Sequence, residues 1–168
     1  MKNPFVSIIM GSDSDLPIMT ASADVLKKLG VAYEMKISSA HRTPAITHAY
    51  VKDADQRGCV AFIAAAGMAA HLAGTVAALT LKPVIGVPIE SGGLGGMDAL
   101  LSTVQMPGGI PVASVAIGKA GAKNAAYLAC QILATADQEL AEKLIAEREA
   151  NAQAVVAKDQ ALQAQLNS

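Results

Sequence analysis

The sequence contains few aromatic residues, which limits how its core can be built. Phe, Trp and Tyr together make up 3% of the 168 residues, and Trp is absent. Hydrophobic residues nevertheless account for 52% of the chain, so the core must consist of Ala, Val, Ile, Leu and Met, many of them small. A chain of this length fits one domain, because single hydrophobic cores serve about 100–200 residues.

Cysteine and clustered positive charge are also scarce. Cys59 and Cys130 are far apart, and neither lies in a CxxC or His-rich pattern, so we predict no metal site and no redox pair. Two such cysteines are typical of small buried residues in a reducing compartment, here the cytoplasm. The net charge is -1 and the chain has no Lys/Arg cluster, which argues against nucleic acid and anionic membranes as partners.

No apolar run reaches the roughly 18 residues needed to span a bilayer, so we expect a soluble protein. Residues 1–10 hold one lysine and a short apolar stretch that passes directly into a Gly-Ser turn. Because no small-residue cleavage site follows, this segment predicts a first β-strand rather than a signal peptide.

Strands and helices alternate along most of the chain. Short apolar and β-branched runs predict strands at 5–10, 32–37, 60–65, 84–87 and 112–117. Helical spacing and capping residues predict helices at 15–29, 44–57, 69–81, a short one before the fifth strand, and 121 to about 136. This alternation favours an α/β fold with a five-stranded parallel sheet and helices on both faces.

A further helix is predicted beyond the last strand, from 137 to about 166. Its apolar stripe has no strand left to cover, so we expect a neighbouring subunit to bury it. The stripe consists of Leu140, Leu144, Ile145, Val155, Val156 and Leu162. No linker or repeat interrupts the chain, which predicts a single domain over 1–168 with 137–168 as a helical extension that packs on neighbours.

Polar residues follow the predicted strands where a ligand would bind, since open parallel sheets bind ligands outside the carboxyl ends of their strands. The segments at this edge are 11–15, 38–44, 66–71 and 86–88. Two of the three histidines, His41 and His71, and the first of three arginines, Arg42, fall within them. This edge is therefore the candidate site.

The turn after the first strand has two interpretations. Backbone N–H groups at Gly11 and Ser12 stand at a helix N-terminus, which favours an anion such as phosphate. Ser12, Ser14 and Asp15 are also common helix caps, and a capping role alone would account for them.

The loop residues leave similar alternatives open. Histidine is the side chain suited to proton transfer near neutral pH, and His41 is followed by Arg42, whose guanidinium presents several donors suited to phosphate. A single histidine in a loop is, however, often only solvated. His71 either faces the cleft or packs at the start of the third helix. The Gly-rich run at 91–96 is a hinge or a turn that needs positive φ, and it does not match the GxGxxG dinucleotide pattern.

Four strings resemble the class I N5-carboxyaminoimidazole ribonucleotide mutases, formerly called phosphoribosylaminoimidazole carboxylase catalytic subunits. The likeness extends from about residue 6 to 144, with the strings in the family's order and spacing. The strings are GSDSD at 11–15, SAHRTP at 39–44, AAHL at 69–72 and QMPGGIPV at 105–112.

This resemblance implies a flavodoxin-like three-layer α/β/α fold and a cytoplasmic homo-octamer in which the C-terminal helix reaches neighbours. It implies an isomerase of de novo purine (IMP) biosynthesis that interconverts N5-carboxyaminoimidazole ribonucleotide and 4-carboxy-5-aminoimidazole ribonucleotide. By the same resemblance, we expect the reaction to proceed by decarboxylation and recarboxylation, without a metal, flavin or ATP.

The resemblance also implies residue roles at the matching positions. His41 would be the general acid and base that removes the C4 proton. Ser12, Asp15 and Arg42 would bind the ribonucleotide, with Ser14 and Ser39 close by. Gly67, His71 and Leu72 complete the expected substrate-binding set.

Two segments depart from the family pattern. The usual His-Leu-Pro-Gly is His71-Leu72-Ala73-Gly74 here, and the usual Ser-x-Ala-Leu-x-Gly loop is SGGLGG at 91–96, so we expect both loops to be more mobile. Class II relatives carry Ser-Ala-His-Lys-Thr and lack the His-Leu segment, so Arg42 and His71-Leu72 favour class I. A direct aminoimidazole ribonucleotide carboxylase that uses CO2, or a flavodoxin-like binding module without activity, remain the alternatives.

Overall fold

Five parallel strands form one sheet. The computed structural model describes residues 4–167. The parallel five-stranded sheet confirms the fold predicted from the apolar runs. The strands are β1 (Phe5–Met10), β2 (Tyr33–Ile37), β3 (Cys59–Gly67), β4 (Val84–Ile89) and β5 (Ala113–Ser114). Their order in the sheet is β2-β1-β3-β4-β5.

The register of the central strands brings their carboxyl ends to one level. Met10 at the end of β1 pairs with Ile37 of β2 on one side and Ala65 of β3 on the other. Every residue of β1 and β4 is buried, as expected for strands covered on both faces. The loops that follow these strands therefore emerge side by side above a rigid core.

Glycine and proline mark the ends of the first two long helices. Pro44 begins α2 (Pro44–Arg57), where its missing N–H costs no hydrogen bond, and the bounds predicted for this helix are confirmed. Gly30 follows α1 (Leu16–Leu29) and Gly58 follows α2, both in the left-handed conformation, with φ of 77° and 104°. The helices are α1 (Leu16–Leu29), α2 (Pro44–Arg57), α3 (Leu72–Ala77), α4 (Met97–Val104), α5 (Gly118–Ala134) and α6 (Gln138–Leu166).

Two predicted elements are shorter by several residues in the structure. The third helix occupies 72–77 rather than 69–81. It begins later because the N–H of His71 donates to the carbonyl of Ala69 in a tight turn, and it ends earlier because Thr80 Oγ1 accepts from the N–H of Lys82 in a turn before β4. The fifth strand occupies 113–114 rather than 112–117, because the chain turns back at 115–118 to begin α5 at Gly118, whose φ is 73°.

A polar network ties α2 to the edge strand β2. The Arg57 guanidinium donates to both carboxylate oxygens of Glu34, which holds the pKa of Glu34 below its usual value. The Tyr50 hydroxyl lies 2.8 Å from Ser7 Oγ, beneath the same carboxylate. These contacts fix the helix that follows the His41 loop.

The chain divides into two compact units, one ending at Ala129 and the other beginning at Cys130. In the second unit, Asp137 caps α6 by accepting from the N–H of Leu140 at 3.0 Å. The predicted apolar stripe of α6 is largely uncovered, since only its first residue is buried. Leu144 is half-buried, and Ile145, Val155, Val156, Leu162 and Leu166 are exposed.

Both cysteines are fully buried, as predicted, and burial raises the pKa of each thiol to about 11. Within residues 4–167 no helix has both the length and the apolar character that crossing a membrane requires.

Candidate active site

A cleft of about 470 Å³ opens at the carboxyl ends of β1, β2 and β3. The loops after these strands supply its walls, as the position rule for parallel sheets predicts. It gathers all nine residues selected from the sequence, namely Ser12, Ser14, Asp15, Ser39, His41, Arg42, Gly67, His71 and Leu72. It also contains six that were not selected, namely Gly11, Ala40, Ala66, Met68, Ala69 and Ser91.

The turn after β1 is held by its own side chains. The N–H of Ser12 donates to Asp15 Oδ2 at 3.2 Å, and the N–H of Ser14 donates to Ser12 Oγ at 3.3 Å. These residues therefore cap a single 3-10 turn at Asp13–Asp15, which leads into α1, and Ser12, Ser14 and Asp15 also line the cleft. An anion at this turn must share the N–H of Ser12 with the Asp15 carboxylate.

Asp15 is a buried carboxylate at the base of this turn, with 6% of its surface exposed. Burial raises its pKa, against hydrogen bonds from Ser12 and Ser14 and the nearby charge of Arg42, which lower it. The Asp15 carboxylate is therefore a hydrogen-bond acceptor in the cleft that has lost most of its solvating water. A carboxylate so placed can accept from hydroxyl groups of a ligand.

Arg42 connects the first two loops. Its Nη2 donates to the carbonyl of Gly11 at 2.7 Å, and its Nε donates to Ser39 Oγ at 3.4 Å. The guanidinium carries more N–H groups than these two bonds use, and its side chain is exposed. It can therefore engage an anion while its position remains fixed by the protein.

His41 and His71 form a hydrogen-bonded pair across the cleft. His41 Nε2 lies 2.8 Å from His71 Nδ1, and the rings meet edge to face with centroids 4.9 Å apart. One nitrogen must donate and the other accept, so a single hydrogen occupies this bond. The pair can hold a proton and release it to a ligand. His71 belongs to the cleft, and its side chain makes no capping bond to α3.

The segment after β3 is tightly packed at Gly67. A Cβ there would stand 2.8 Å from Ser91 Cβ and 3.1 Å from the carbonyl oxygen of Ile89, so no side chain fits. This close approach brings Ser91, the first residue of the Gly-rich run, into the cleft wall. The sequence predicted a turn or hinge at 91–96, but no pattern in it predicted that Ser91 lies against Gly67 of β3.

The cleft offers hydrogen-bonding groups rather than a metal-ligand cluster. Across the part of the chain that the structure describes, no three His, Cys, Asp or Glu side chains come together in a way that could hold a metal ion. The two paired histidines are accompanied by hydroxyls, one carboxylate and one guanidinium.

Comparison with known proteins identifies the family. The family model described as AIR carboxylase matches residues 5–154. The chain belongs to this family. It is 55% identical to the N5-carboxyaminoimidazole ribonucleotide mutase of Bacillus subtilis over 91% of this chain and 94% of that protein. It is 59% identical to the protein of the same name from Pyrococcus abyssi, over 87% and 83% of the two chains.

A solved structure also matches this AIR carboxylase family member. The crystal structure of Treponema denticola PurE superimposes with a TM-score of 0.84 at 33% identity, covering 94% of this chain and 97% of that one. Together with the relatives, this match confirms the family resemblance and the flavodoxin-like α/β fold inferred from the four strings.

Proposed function

We propose that this protein is an N5-carboxyaminoimidazole ribonucleotide mutase of de novo purine biosynthesis. It interconverts N5-carboxyaminoimidazole ribonucleotide and 4-carboxy-5-aminoimidazole ribonucleotide. The observation that carries this proposal is the His41–His71 hydrogen bond, 2.8 Å long, in a cleft that also holds Asp15 and Arg42. Relatives that bear the mutase name match most of the chain at more than half identity.

The reaction needs one proton carrier. The bond between N5 and the carbamate carbon breaks, its electron pair stays on N5, and N5 gains a proton while CO2 is released. Ring carbon C4 then attacks CO2, and the C4 proton leaves so that the ring regains aromaticity. In the overall reaction, one carboxyl group moves from N5 to C4 and one proton moves from C4 to N5. His41 can supply the first proton and accept the second.

The remaining cleft residues hold the ribonucleotide. Arg42 binds the phosphate through the N–H groups that Gly11 and Ser39 leave unused. Asp15 accepts from the ribose hydroxyls, and the hydroxyls of Ser12, Ser14 and Ser39 lie beside it. Gly67, His71 and Leu72 form the wall against the reacting ring. Because CO2 and the freed ring stay in contact within the cleft, the addition of CO2 to C4 becomes effectively unimolecular.

The protein works as a cytoplasmic homo-octamer, without a nucleic-acid partner, and α6 packs on neighbouring subunits as an extension of one 1–168 domain. The apolar residues exposed along α6 support this assembly. Val155, Leu162 and Leu166 are 66%, 50% and 70% exposed, and apolar area of this kind is normally buried by a partner.

The deciding experiment offers the purified protein each substrate in turn. We expect N5-carboxyaminoimidazole ribonucleotide to give the 4-carboxy product directly, without ATP, and labelled bicarbonate in the medium to enter that product poorly. Efficient carboxylation of the uncarboxylated ribonucleotide at low CO2, with no use of the N5 carbamate, would make the protein a direct carboxylase and leave His41 as its base.

An absorption spectrum tests the remaining alternative. A flavodoxin-like binding module should purify yellow or bind flavin mononucleotide tightly, whereas we expect a colourless protein that does not bind it. Tight flavin binding together with inactivity on both ribonucleotides would refute the enzyme assignment.

A further inference from the structure

Met68 adopts a backbone conformation that methionine rarely takes. Its φ is 54°, and among residues 4–167 it is the one residue other than glycine with a positive φ. A side chain in this region is strained, and strain of this kind persists where the surroundings impose it, often at functional sites. Met68 lines the cleft, and 59% of its surface is exposed.

The chain on either side prevents Met68 from relaxing. Gly67 is held in the sheet by its pairing with Ile89 of β4, and a Cβ added to it would stand 2.8 Å from Ser91 Cβ. On the other side, the N–H of His71 donates to the carbonyl of Ala69 at 2.9 Å. The strained residue joins two fixed segments, and its side chain is thereby held at the cleft.

The composition of the cleft wall makes Met68 distinctive. Its other apolar side chains are the short ones of Ala40, Ala66 and Ala69, together with Leu72, which is only 2% exposed. Met68 is therefore the one long apolar side chain in this wall that has room to move. The unbranched thioether has several rotatable bonds and adapts to irregular surfaces.

The proposed reaction requires a group of this kind. CO2 carries no net charge, so Arg42 and Asp15 cannot retain it by charge, and it must be confined by apolar surface that also excludes water. Met68 lines the cleft and is exposed, so its side chain is available to supply such a surface.

We infer that Met68 determines how the released CO2 partitions between recapture and escape. Its side chain folds over the bound aminoimidazole ring and closes the cleft between the loss of CO2 from N5 and its addition to C4. This role rests on the proposed mutase function. It assigns to that site a residue that controls the retention of CO2 and takes no part in proton transfer.

The test compares Met68→Ala and Met68→Gly in the full-length protein. Both remove the side chain, but alanine keeps the strained backbone and glycine relieves it. Each protein converts unlabelled N5-carboxyaminoimidazole ribonucleotide in medium containing labelled bicarbonate and carbonic anhydrase. The labelled fraction of the product and the free aminoimidazole ribonucleotide are measured. Met97→Ala is the matched control, because Met97 is also exposed, at 52%, but lies outside the cleft wall.

We expect both Met68 variants to raise the labelled fraction about three-fold or more, with free aminoimidazole ribonucleotide accumulating, because water and CO2 then cross the open cleft. Met68→Leu should recover most of the retention lost in Met68→Ala, and Met97→Ala should match the wild type. Thermal unfolding verifies that each variant is folded.

Two outcomes would overturn the inference while leaving the mutase function intact. A wild-type labelled fraction in Met68→Ala would show that the side chain does not retain CO2. A change confined to Met68→Gly would assign the effect to the backbone. Failure of the wild type to convert the N5 carbamate at all is a different result, and it would refute the proposed function itself.

Discussion

His41 Nε2 and His71 Nδ1 lie 2.8 Å apart, although 30 positions separate the two residues in the sequence. The bond joins the loops that follow β2 and β3, the two strands on either side of β1 in the sheet. The pairing leaves one nitrogen of each ring for other partners. It also requires that the two rings do not both carry a proton on the nitrogens that face each other.

Replacing His41 with asparagine should separate binding from chemistry. In His41→Asn the amide fills similar space and can still form hydrogen bonds, but it cannot carry a proton, so turnover should fall roughly 100- to 10,000-fold. Isothermal calorimetry with the 4-carboxy product should show affinity close to that of the wild type. Lost binding, or a rate near that of the wild type, would contradict the assigned role.

His71 is hydrogen-bonded to His41, so we expect its replacement to have a smaller effect that depends on this bond. His71→Phe removes the bond, and a hydrogen bond of about 0.5–1.5 kcal/mol predicts a loss in kcat of about three- to ten-fold. His71→Asn retains a polar group near the position of Nδ1 and should recover part of it. The pH–rate profile should change in His71→Phe. An unaltered profile and an equal loss in both variants would indicate a purely structural role.

Arg42→Ala should weaken substrate binding. A hydrogen bond to a charged group contributes about 1.5–3 kcal/mol, so KM should rise about ten-fold or more while kcat changes less. Arg148→Ala, which removes an exposed arginine of α6 outside the cleft, is the control. Equal KM values for the Arg42 and Arg148 variants would remove Arg42 from the site.

Asp15→Asn should lower affinity without lowering stability at neutral pH. Burial raises the pKa of Asp15 above its ordinary 3.8, so folding favours the protonated form. Its stabilising contribution is complete below the unfolded-state pKa and is lost as pH rises through the folded-state pKa. The substituted amide is neutral, and its oxygen can still accept from the N–H of Ser12. At neutral pH we therefore expect an equal or higher urea midpoint for the variant, together with weaker product binding.

The pH dependence of stability tests whether Asp15→Asn changes stability in the expected direction. Wild-type Asp15 becomes protonated as pH falls through its raised pKa, so any stability advantage that Asp15→Asn has at neutral pH should shrink in acid. Urea midpoints measured across this range report the difference. An advantage that grows toward low pH would mean that the ionised carboxylate stabilises the fold.

Charges placed on the exposed face of α6 should reduce the size of the assembly. Val155→Glu combined with Leu162→Glu puts carboxylates where a neighbouring subunit is proposed to pack, and light scattering should report smaller particles. Gln153→Glu combined with Gln160→Glu adds the same charge at exposed polar positions of the helix. A wild-type monomer, or equal effects of the two pairs, would contradict packing through the apolar residues.

The fold was predictable where local chemistry is strong. Pro44 and Gly58 mark both ends of α2, and the continuous apolar run of β1 is recognisable because both of its faces are buried. The end of α3 and the length of β5 depend instead on how the chain turns toward the next element. Periodicity carries no information about such turns, so these bounds were wrong.

The site was predictable to a similar degree. The rule that ligands bind at strand ends, with the family resemblance, selected nine residues that share one cleft. Met68 and Ser91 were not selected, for a physical reason. The position of Met68 in the cleft wall depends on a left-handed φ, which methionine does not favour. The position of Ser91 depends on close packing against Gly67.

The strand order β2-β1-β3 has a consequence for how the protein can be altered. The chain leaves β1 toward one edge of the sheet and returns past it to form β3, so right-handed connections send α1 and α2 to opposite faces. The loops after β1 and β3 diverge at this reversal, and a crevice opens between them whatever side chains they carry. Chain topology, rather than the catalytic residues, thus creates the binding space. Variants with inert chemistry should keep an intact crevice, which makes them suitable for trapping bound nucleotides and for installing new reactions by exchange of loops alone.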